Sequence, residues 1–238
     1  MIRADKAISD ITGLSRTDVK KQIRLGAFRV SDMPVGSPSQ QLPDDFLLSY
    51  NGREYKYTSY VYIMLNKPRG IVSASRDPKA PTVISILPPD FSRRGLFPAG
   101  RLDADTQGFV LITNDGIFAH DMLSPAHHVE KTYRVTLEHE LQDDEKEHIT
   151  GGIVLRSGET FAPCTIIFPD VSDRASLEIT LTEGKYHEIK RMFAACGNNV
   201  TSLFRVSIGG LQLDPALAPG ECRYITEREL KTIVNITK

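Results

Sequence analysis

The 238-residue chain has little cysteine, no excess of either charge and no long apolar run, and each shortage excludes something. Cys164, Cys196 and Cys222 are odd in number and far apart, which suits free thiols in a reducing compartment rather than a disulfide framework. They form no Cys-x-x-Cys pair, and the adjacent His127 and His128 lack further spaced ligands, so no metal site is expected. No stretch approaches the roughly 20 apolar residues of a membrane span. Met1-Ile2-Arg3-Ala4-Asp5 opens without the apolar core of a signal peptide, so a cytoplasmic location with no membrane partner is expected. There is no P-loop and no dinucleotide-binding glycine fingerprint, so no nucleotide, flavin or other cofactor is called for.

The net charge of −1 is unlike that of a dedicated nucleic-acid binder, but the distribution is uneven. Residues 1 to 30 carry Arg3, Lys6, Arg16, Lys20, Lys21, Arg24 and Arg29 against Asp5, Asp10 and Asp18, while acidic residues gather between 138 and 147. A basic patch on a neutral body is compatible with RNA. Taken alone, it also describes a solvated helix face. Hydrophobic and charged fractions of 40% and 25% are those of a folded globular protein with an adequate core.

Along the chain, apolar spacing over residues 3 to 12 predicts a helix stopped by Gly13. Ser15 then caps a second helix that runs to Gly26, with Asp18 in the capping-box position. Residues 27 to 30 and 46 to 50 read as strands around a Pro/Ser-rich loop, with a turn at Asn51-Gly52. Residues 54 to 59 read as a linker, 60 to 65 as a strand broken by Asn66-Lys67-Pro68, and 73 to 89 as a surface loop. Further on, strands are expected at 109 to 112, 131 to 137, 151 to 168 (punctuated by Ser157-Gly158), 176 to 181 and 200 to 210. Helices are expected at 117 to 123, 142 to 150, beyond a turn starting at 182, and at 226 to 234.

The stretch that organises the rest is Gly100-Arg101-Leu102-Asp103-Ala104-Asp105-Thr106-Gln107-Gly108, followed by the apolar run Phe109-Val110-Leu111-Ile112 and the turn residues Asn114-Asp115-Gly116. Charged residues on a loop feeding a buried strand suit either a site on a rigid scaffold or an ordinary solvated turn. No helix opens after it, so it is not a phosphate cradle. This motif closely resembles the signature of the RsuA/RluB/E/F family of pseudouridine synthases. Leu65-Asn66-Lys67-Pro68-Arg69-Gly70, Lys131-Thr132-Tyr133, Gly184-Lys185-Tyr186-His187-Glu188-Ile189-Lys190-Arg191 and the segment holding Leu203 and Arg205 are similar to other family segments. Leu14-Ser15-Arg16 with Lys20, Ile23, Arg24 and Gly26 resembles an S4 RNA-binding module, although Val30-Ser31-Asp32-Met33 departs from the usual Val-Asn-Gly turn. Glu188 stands where the family usually has Gln.

The resemblance implies an α+β chain. A small S4 domain (residues 1–56) and a linker (57–61) would precede a catalytic domain (62–238) whose mixed, mostly antiparallel sheet lies in two halves around a cleft. It implies Asp103 as the catalytic carboxylate, Tyr133 over the target base and Lys190 as the cation beside Asp103. Arg101, Leu102, Thr106, Lys131, Arg191, Leu203 and Arg205 would meet substrate, and Ser15, Arg16, Lys20, Lys21 and Arg24 would meet RNA. The expected activity is isomerisation of an rRNA uridine by a monomer without cofactor. The residues from Ser124 to Tyr133 and from Gly184 to His187 most resemble members acting on 16S rRNA, as free RNA or within a pre-30S particle. Action on 23S rRNA, and a non-catalytic rRNA-binding assembly factor, remain as alternatives. A glycosidase using Asp103 and Asp105 is a more distant reading, because side chains two apart on an extended loop face opposite ways.

Overall fold

The computed structural model describes residues 1–91 and 95–233. The chain forms two compact units, Met1–Val61 with Pro89–Leu96, and Tyr62–Pro88 with the chain from Phe97 onward. The first unit runs β1 (Ile2–Arg3), α1 (Ala4–Thr12), α2 (Arg16–Arg24), β2 (Phe28–Val30), β3 (Met33–Pro34), β4 (Gln41–Leu42), β5 (Asp45–Tyr50) and β6 (Arg53–Thr58). Four strands pair in the order β3-β2-β5-β6, and β1 pairs separately with β4.

Local chemistry accounts for its joints. Gly13 ends α1 in the left-handed region at φ 73°, and the Ser15 hydroxyl caps α2 by accepting from the Asp18 amide at 3.1 Å. Ser31-Asp32 and Asn51-Gly52 make tight hairpins with positive φ at both residues, so the unusual Ser31-Asp32 pair does the work of the commoner turn. The linker expected at 54 to 59 is instead largely strand. Tyr55 and Tyr57 alternate inward along β6, and the fully buried Tyr57 stacks on Phe46 at 4.7 Å. With Ala7, Ile8, Val19, Ile23, Phe28 and Leu48 they close the unit's core.

The second unit runs β7 (Tyr62–Lys67), β8 (Phe97–Ala99), β9 (Gln107–Thr113), α3 (Gly116–Leu123), β10 (Lys131–Leu137), α4 (Asp143–Thr150), β11 (Thr165–Ile167), β12 (Ser176–Leu181), α5 (Glu188–Ala195), β13 (Val200–Ile208), β14 (Leu211–Gln212), β15 (Cys222–Tyr224) and α6 (Glu227–Ile233). Its sheet has the order β11-β12-β10-β13-β9-β7-β15, with β14 on β13 and β8 on β9. Every ladder is antiparallel except β9 on β13. Two antiparallel halves therefore meet at one short parallel contact. The wholly apolar centre of β9 follows from its position: Phe109, Val110, Leu111 and Ile112 are all fully buried.

Residues 73–89 run as the expected loop, exposed over 75–79, although Ser73, Thr82 and Val83 are buried and Val72 bridges Thr82. Two expectations need correction here. Strand β7 continues through Asn66 and Lys67 because β9 and β15 hold it on both sides. Between 151 and 168 only the Val154–Thr160 bridge and β11 are extended pairs. The helix end expected at Val234 lies outside the described residues. No helix among the described residues is long and apolar enough to cross a membrane.

The parallel contact depends on Gly108. It has φ +100°, and a Cβ there would lie 2.3 Å from the Arg205 carbonyl oxygen, a backbone atom that cannot turn aside. Gly108→Ala is expected to lower the stability of the second unit by more than about 2 kcal/mol, combining left-handed strain with a backbone clash. Faster amide exchange along β9 and β13, with β5 and β6 unchanged, is the measurement that checks it.

Candidate active site

Residues 100–106 reach the sheet junction as a tight turn. Gly100 has φ 92°, the Thr106 amide donates to the Asp103 carbonyl at 3.1 Å, and the Gly70 amide donates to the Ala104 carbonyl at 2.7 Å. Ser73 fastens the other flank, its hydroxyl accepting from the Leu102 amide at 3.0 Å and donating to the Leu102 carbonyl at 2.9 Å. Beneath the turn lies the fully buried Lys67, whose Nζ donates to the carbonyls of Pro68 (3.1 Å), Ala104 (3.2 Å) and Thr106 (2.7 Å). Burial pushes its pKa down to about 8, against the opposing pull of Asp105 and Asp103.

Asp103 lines a pocket of about 70 Å³ whose wall includes Thr106, Tyr133, Leu181, Leu203 and Lys190. Its Oδ2 is 3.3 Å from Lys190 Nζ and its Oδ1 is 3.4 Å from His187 Nε2. Lys190 is nearer to Asp105, donating to Oδ1 at 2.7 Å and Oδ2 at 2.9 Å. The two carboxylates thus converge on one ammonium instead of facing apart, because residues 103–106 turn where an extended loop was expected. Burial alone would push the Lys190 ammonium down, but the hydrogen bonds it donates to Asp105 and both negative charges outweigh it and raise its pKa. The hydrogen bond from Lys190 holds the Asp105 carboxyl below its ordinary range. Asp105 is therefore a poor general acid, which argues against a paired-carboxylate glycosidase.

Tyr133 and Arg205 are register partners across β10 and β13, and both are buried. Arg205 donates from Nε to the Phe109 carbonyl at 2.7 Å and from Nη1 to the Tyr133 hydroxyl at 3.4 Å. Its Nη2 and the Thr106 hydroxyl are buried without a hydrogen-bond partner among the described residues. A second cavity of about 420 Å³ shares Tyr133 and Arg101 with the first and adds Lys131 and Arg205. Burial and the Arg205 charge push the Lys131 ammonium down to about 8, with Glu188 opposing. Glu188 is itself buried, its pKa raised by burial, and its carboxylate accepts the Lys185 amide at 2.8 Å.

Of the residues named from sequence, Asp103, Tyr133, Lys190, Leu102, Thr106, Leu203 and the exposed Arg101 meet at one pocket, and Lys131 and Arg205 line its neighbour. Arg191 does not join them: its guanidinium is paired with Glu159 and lies over the Phe161 ring at 5.1 Å. In the first unit Ser15 is taken up in capping α2, and Arg16 pairs with the buried Asp5 at 2.8 Å. Lys20, Lys21 and Arg24 stand exposed on the same helix. Lys67 and His187 carried no role in the sequence reading, and Asp105 figured there only in the glycosidase alternative. The signal for Lys67 was a lysine inside an apolar strand that ends at Pro68.

Replacing Lys67 by Met would remove the ammonium from the Pro68 and Thr106 carbonyls and leave the Ala104 carbonyl with the Gly70 amide. Lys67→Met is expected to cost about 1–3 kcal/mol and to speed exchange of the Gly70 and Thr106 amides. The ammonium returns toward 10.5 on unfolding, so the unfolded chain binds more protons between about pH 8 and 10.5. Stability therefore rises with pH across that window, and the variant should lose the Lys67 share of the rise in denaturation measured at several pH values.

The chain is 40% identical over 231 residues to an uncharacterized RNA pseudouridine synthase of Bacillus subtilis, covering 96% of this chain and 97% of that one. It is 39% identical over 234 residues to ribosomal small subunit pseudouridine synthase A of Escherichia coli, covering 98% and 100%. A crystal structure of a pseudouridylate synthase superposes with a TM-score of 0.68 at 36% identity, covering 98% of this chain and 100% of that one. The family model for RNA pseudouridylate synthases matches residues 61–195, which hold the turn, Lys67, Tyr133 and Lys190, and the chain belongs to that family.

Proposed function

We propose that this chain converts a uridine of 16S rRNA to pseudouridine, with Asp103 as the catalytic carboxylate. The observation that carries the reading is the placement of Asp103 in a pocket between a cation, Lys190, and a buried aromatic wall, Tyr133. The choice of 16S rRNA is supported by the close, full-length likeness to ribosomal small subunit pseudouridine synthase A.

The reaction breaks the C1′–N1 bond and makes a C1′–C5 bond, while the C5 proton leaves and N1 gains one. It is redox-neutral, so it calls for no electron carrier. An ionised Asp103 either adds to C1′ or takes a proton from the sugar so that the base leaves through a glycal. Lys190 sets its ammonium 3.3 Å from that carboxylate. Tyr133 lies against the uracil and serves the proton transfer at C5, with Leu102 and Leu203 walling the ring. Lys131 and Arg205 face the negative charge that the departing uracil carries, and the unpartnered Thr106 hydroxyl and Arg205 Nη2 suit its carbonyl oxygens. Arg101, exposed at the mouth, meets the RNA backbone.

The target uridine must leave its stack to reach Asp103, at a cost of a few kcal/mol. The first unit, read as S4-like and extended through β6, offsets that cost by gripping nearby phosphates with Lys20, Lys21 and Arg24.

Pseudouridine mapping of 16S and 23S rRNA from cells lacking this protein, with and without complementation, tests the whole reading. One 16S site should disappear and return with wild type but not with Asp103→Asn. A missing 23S site would overturn the choice of RNA, and rescue by Asp103→Asn would overturn the role of Asp103. Lys20→Ala with Arg24→Ala should weaken RNA binding and reduce the slope of log affinity against log salt by roughly 1.5, near 0.7–0.9 per lost phosphate contact. An unchanged slope would remove α2 from the contact surface.

A further inference from the structure

Tyr186 combines an apolar ring with strong exposure. It is 75% exposed, in a chain that buries most of its large side chains. Its ring lies 3.8 Å from that of His187, tilted by only 19°, so the two form a short aromatic stack. The inner member, His187, belongs to the pocket wall and places Nε2 3.4 Å from Asp103. The outer face of Tyr186 is left open.

The backbone is bent to hold this arrangement. His187 sits in the left-handed region at φ 48° and ψ 35°, directly before α5. A non-glycine residue held there costs of order 1 kcal/mol and persists only where its surroundings fix it. The surroundings do so here: Glu188 accepts the Lys185 amide, and Lys185 donates to the Thr160 carbonyl at 2.7 Å and pairs with Glu183 at 2.8 Å. Both flanks of Tyr186 are tied down while its ring projects into solvent. For folding alone, an exposed aromatic ring contributes little.

We infer that Tyr186 is a stacking platform for an unpaired nucleobase next to the target nucleotide, and so a specificity-determining residue. This rests on the reading of the Asp103 pocket as the uridine site. If the sugar to be attacked lies at Asp103, the RNA chain must pass the pocket mouth, and His187 is both part of that wall and the inner ring of the stack. The neighbouring base then becomes a third ring on an existing pair. Aromatic faces capture bases of any identity, and protein contacts with unpaired RNA use such stacking widely. One nearby charge suits a nucleic-acid strand: Arg101 is exposed at the pocket, whereas Lys190 and Lys185, which also line it, are paired with carboxylates. A target in continuous duplex would present no free face to this ring, so the inference confines the substrate to a uridine in a loop, bulge or opened helix.

The test uses the full-length protein and initial rates on unmodified 16S and 23S rRNA transcripts. Tyr186→Ala should raise KM about 5- to 150-fold, the range for one lost base stack, with kcat changed far less. Tyr186→Phe and Tyr186→Trp should behave as wild type, because a face and not a hydroxyl is required. A fragment around the modified uridine, carrying an abasic residue on one side or the other, should lose the same factor with wild type and nothing further with Tyr186→Ala. An unchanged KM overturns the inference, as does an additive effect of the abasic residue. A fall in kcat that the abasic residue does not reproduce also overturns it, since Tyr186 would then be acting through His187. In those cases an inactive Asp103→Asn leaves the uridine-site reading standing. An active Asp103→Asn, or no turnover by wild type on either rRNA, whether free or in its assembling particle, removes that reading and the inference with it.

Discussion

A buried ammonium at the end of a strand is the constraint on which the site depends. Among the described residues Lys67 has no carboxylate in contact, and its charge is spread over the carbonyls of Pro68, Ala104 and Thr106. Such a group is costly to bury, as its lowered pKa records. Its return is geometric. Two of its three acceptors belong to the turn that carries Asp103 and Asp105, so the carboxylates are held from below while Lys190 engages them from above. Ser73 fixes the same turn at Leu102. Few of these bonds are strong individually, yet together they leave the turn little freedom, which is what a reacting carboxylate needs.

Tyr133 lies on one half of the sheet, and residues 103–106 lead into the other. The parallel contact of Phe204 and Arg205 with Gln107 and Gly108 joins them immediately after the turn. Arg205 then acts on both sides: its guanidinium takes the Phe109 carbonyl of β9 and reaches the Tyr133 hydroxyl of β10. The absence of a side chain at Gly108 permits the join and thereby sets the distance between the aromatic wall and the carboxylate.

How much of this could be read from sequence varied with how local the cause was. Strands β10 and β12 match their expected bounds because their faces alternate between buried and half-exposed, the pattern that period-two reading detects. Strand β6 escaped because Glu54 and Lys56 dominated the reading, while Tyr55 and Tyr57 were the positions that mattered. The meeting of Asp103, Tyr133 and Lys190 could not come from periodicity. They lie on three segments far apart in sequence, and only the likeness to known motifs linked them. Even so, the motif reading did not contain Asp105 as the nearer partner of Lys190, nor His187 at Asp103. Both follow from backbone turns: one bends residues 103–106 back on themselves, and the other places a histidine at positive φ.

The same locality governs charge. A net charge of −1 says little about a surface on which Arg16 is tied to a buried aspartate while Lys20, Lys21 and Arg24 on the same helix stand in solvent. Asp5 carries one negative charge inward, held near pKa 2 chiefly by the hydrogen bond from Arg3, with Arg16 adding to it. Inside the second unit Lys67 is committed to backbone and Lys190 to carboxylates, so neither is available to a phosphate. Under the proposed reading, the cations left for RNA are few, and a grip built from few phosphate contacts weakens only moderately with salt. Such a grip leaves room for contacts that salt does not screen. A ring stacked against a base is one, and it also carries information about whether that base is paired. On a body with little surplus charge, discrimination between a folded duplex and an opened loop rests on shape and stacking at the pocket mouth more than on long-range attraction.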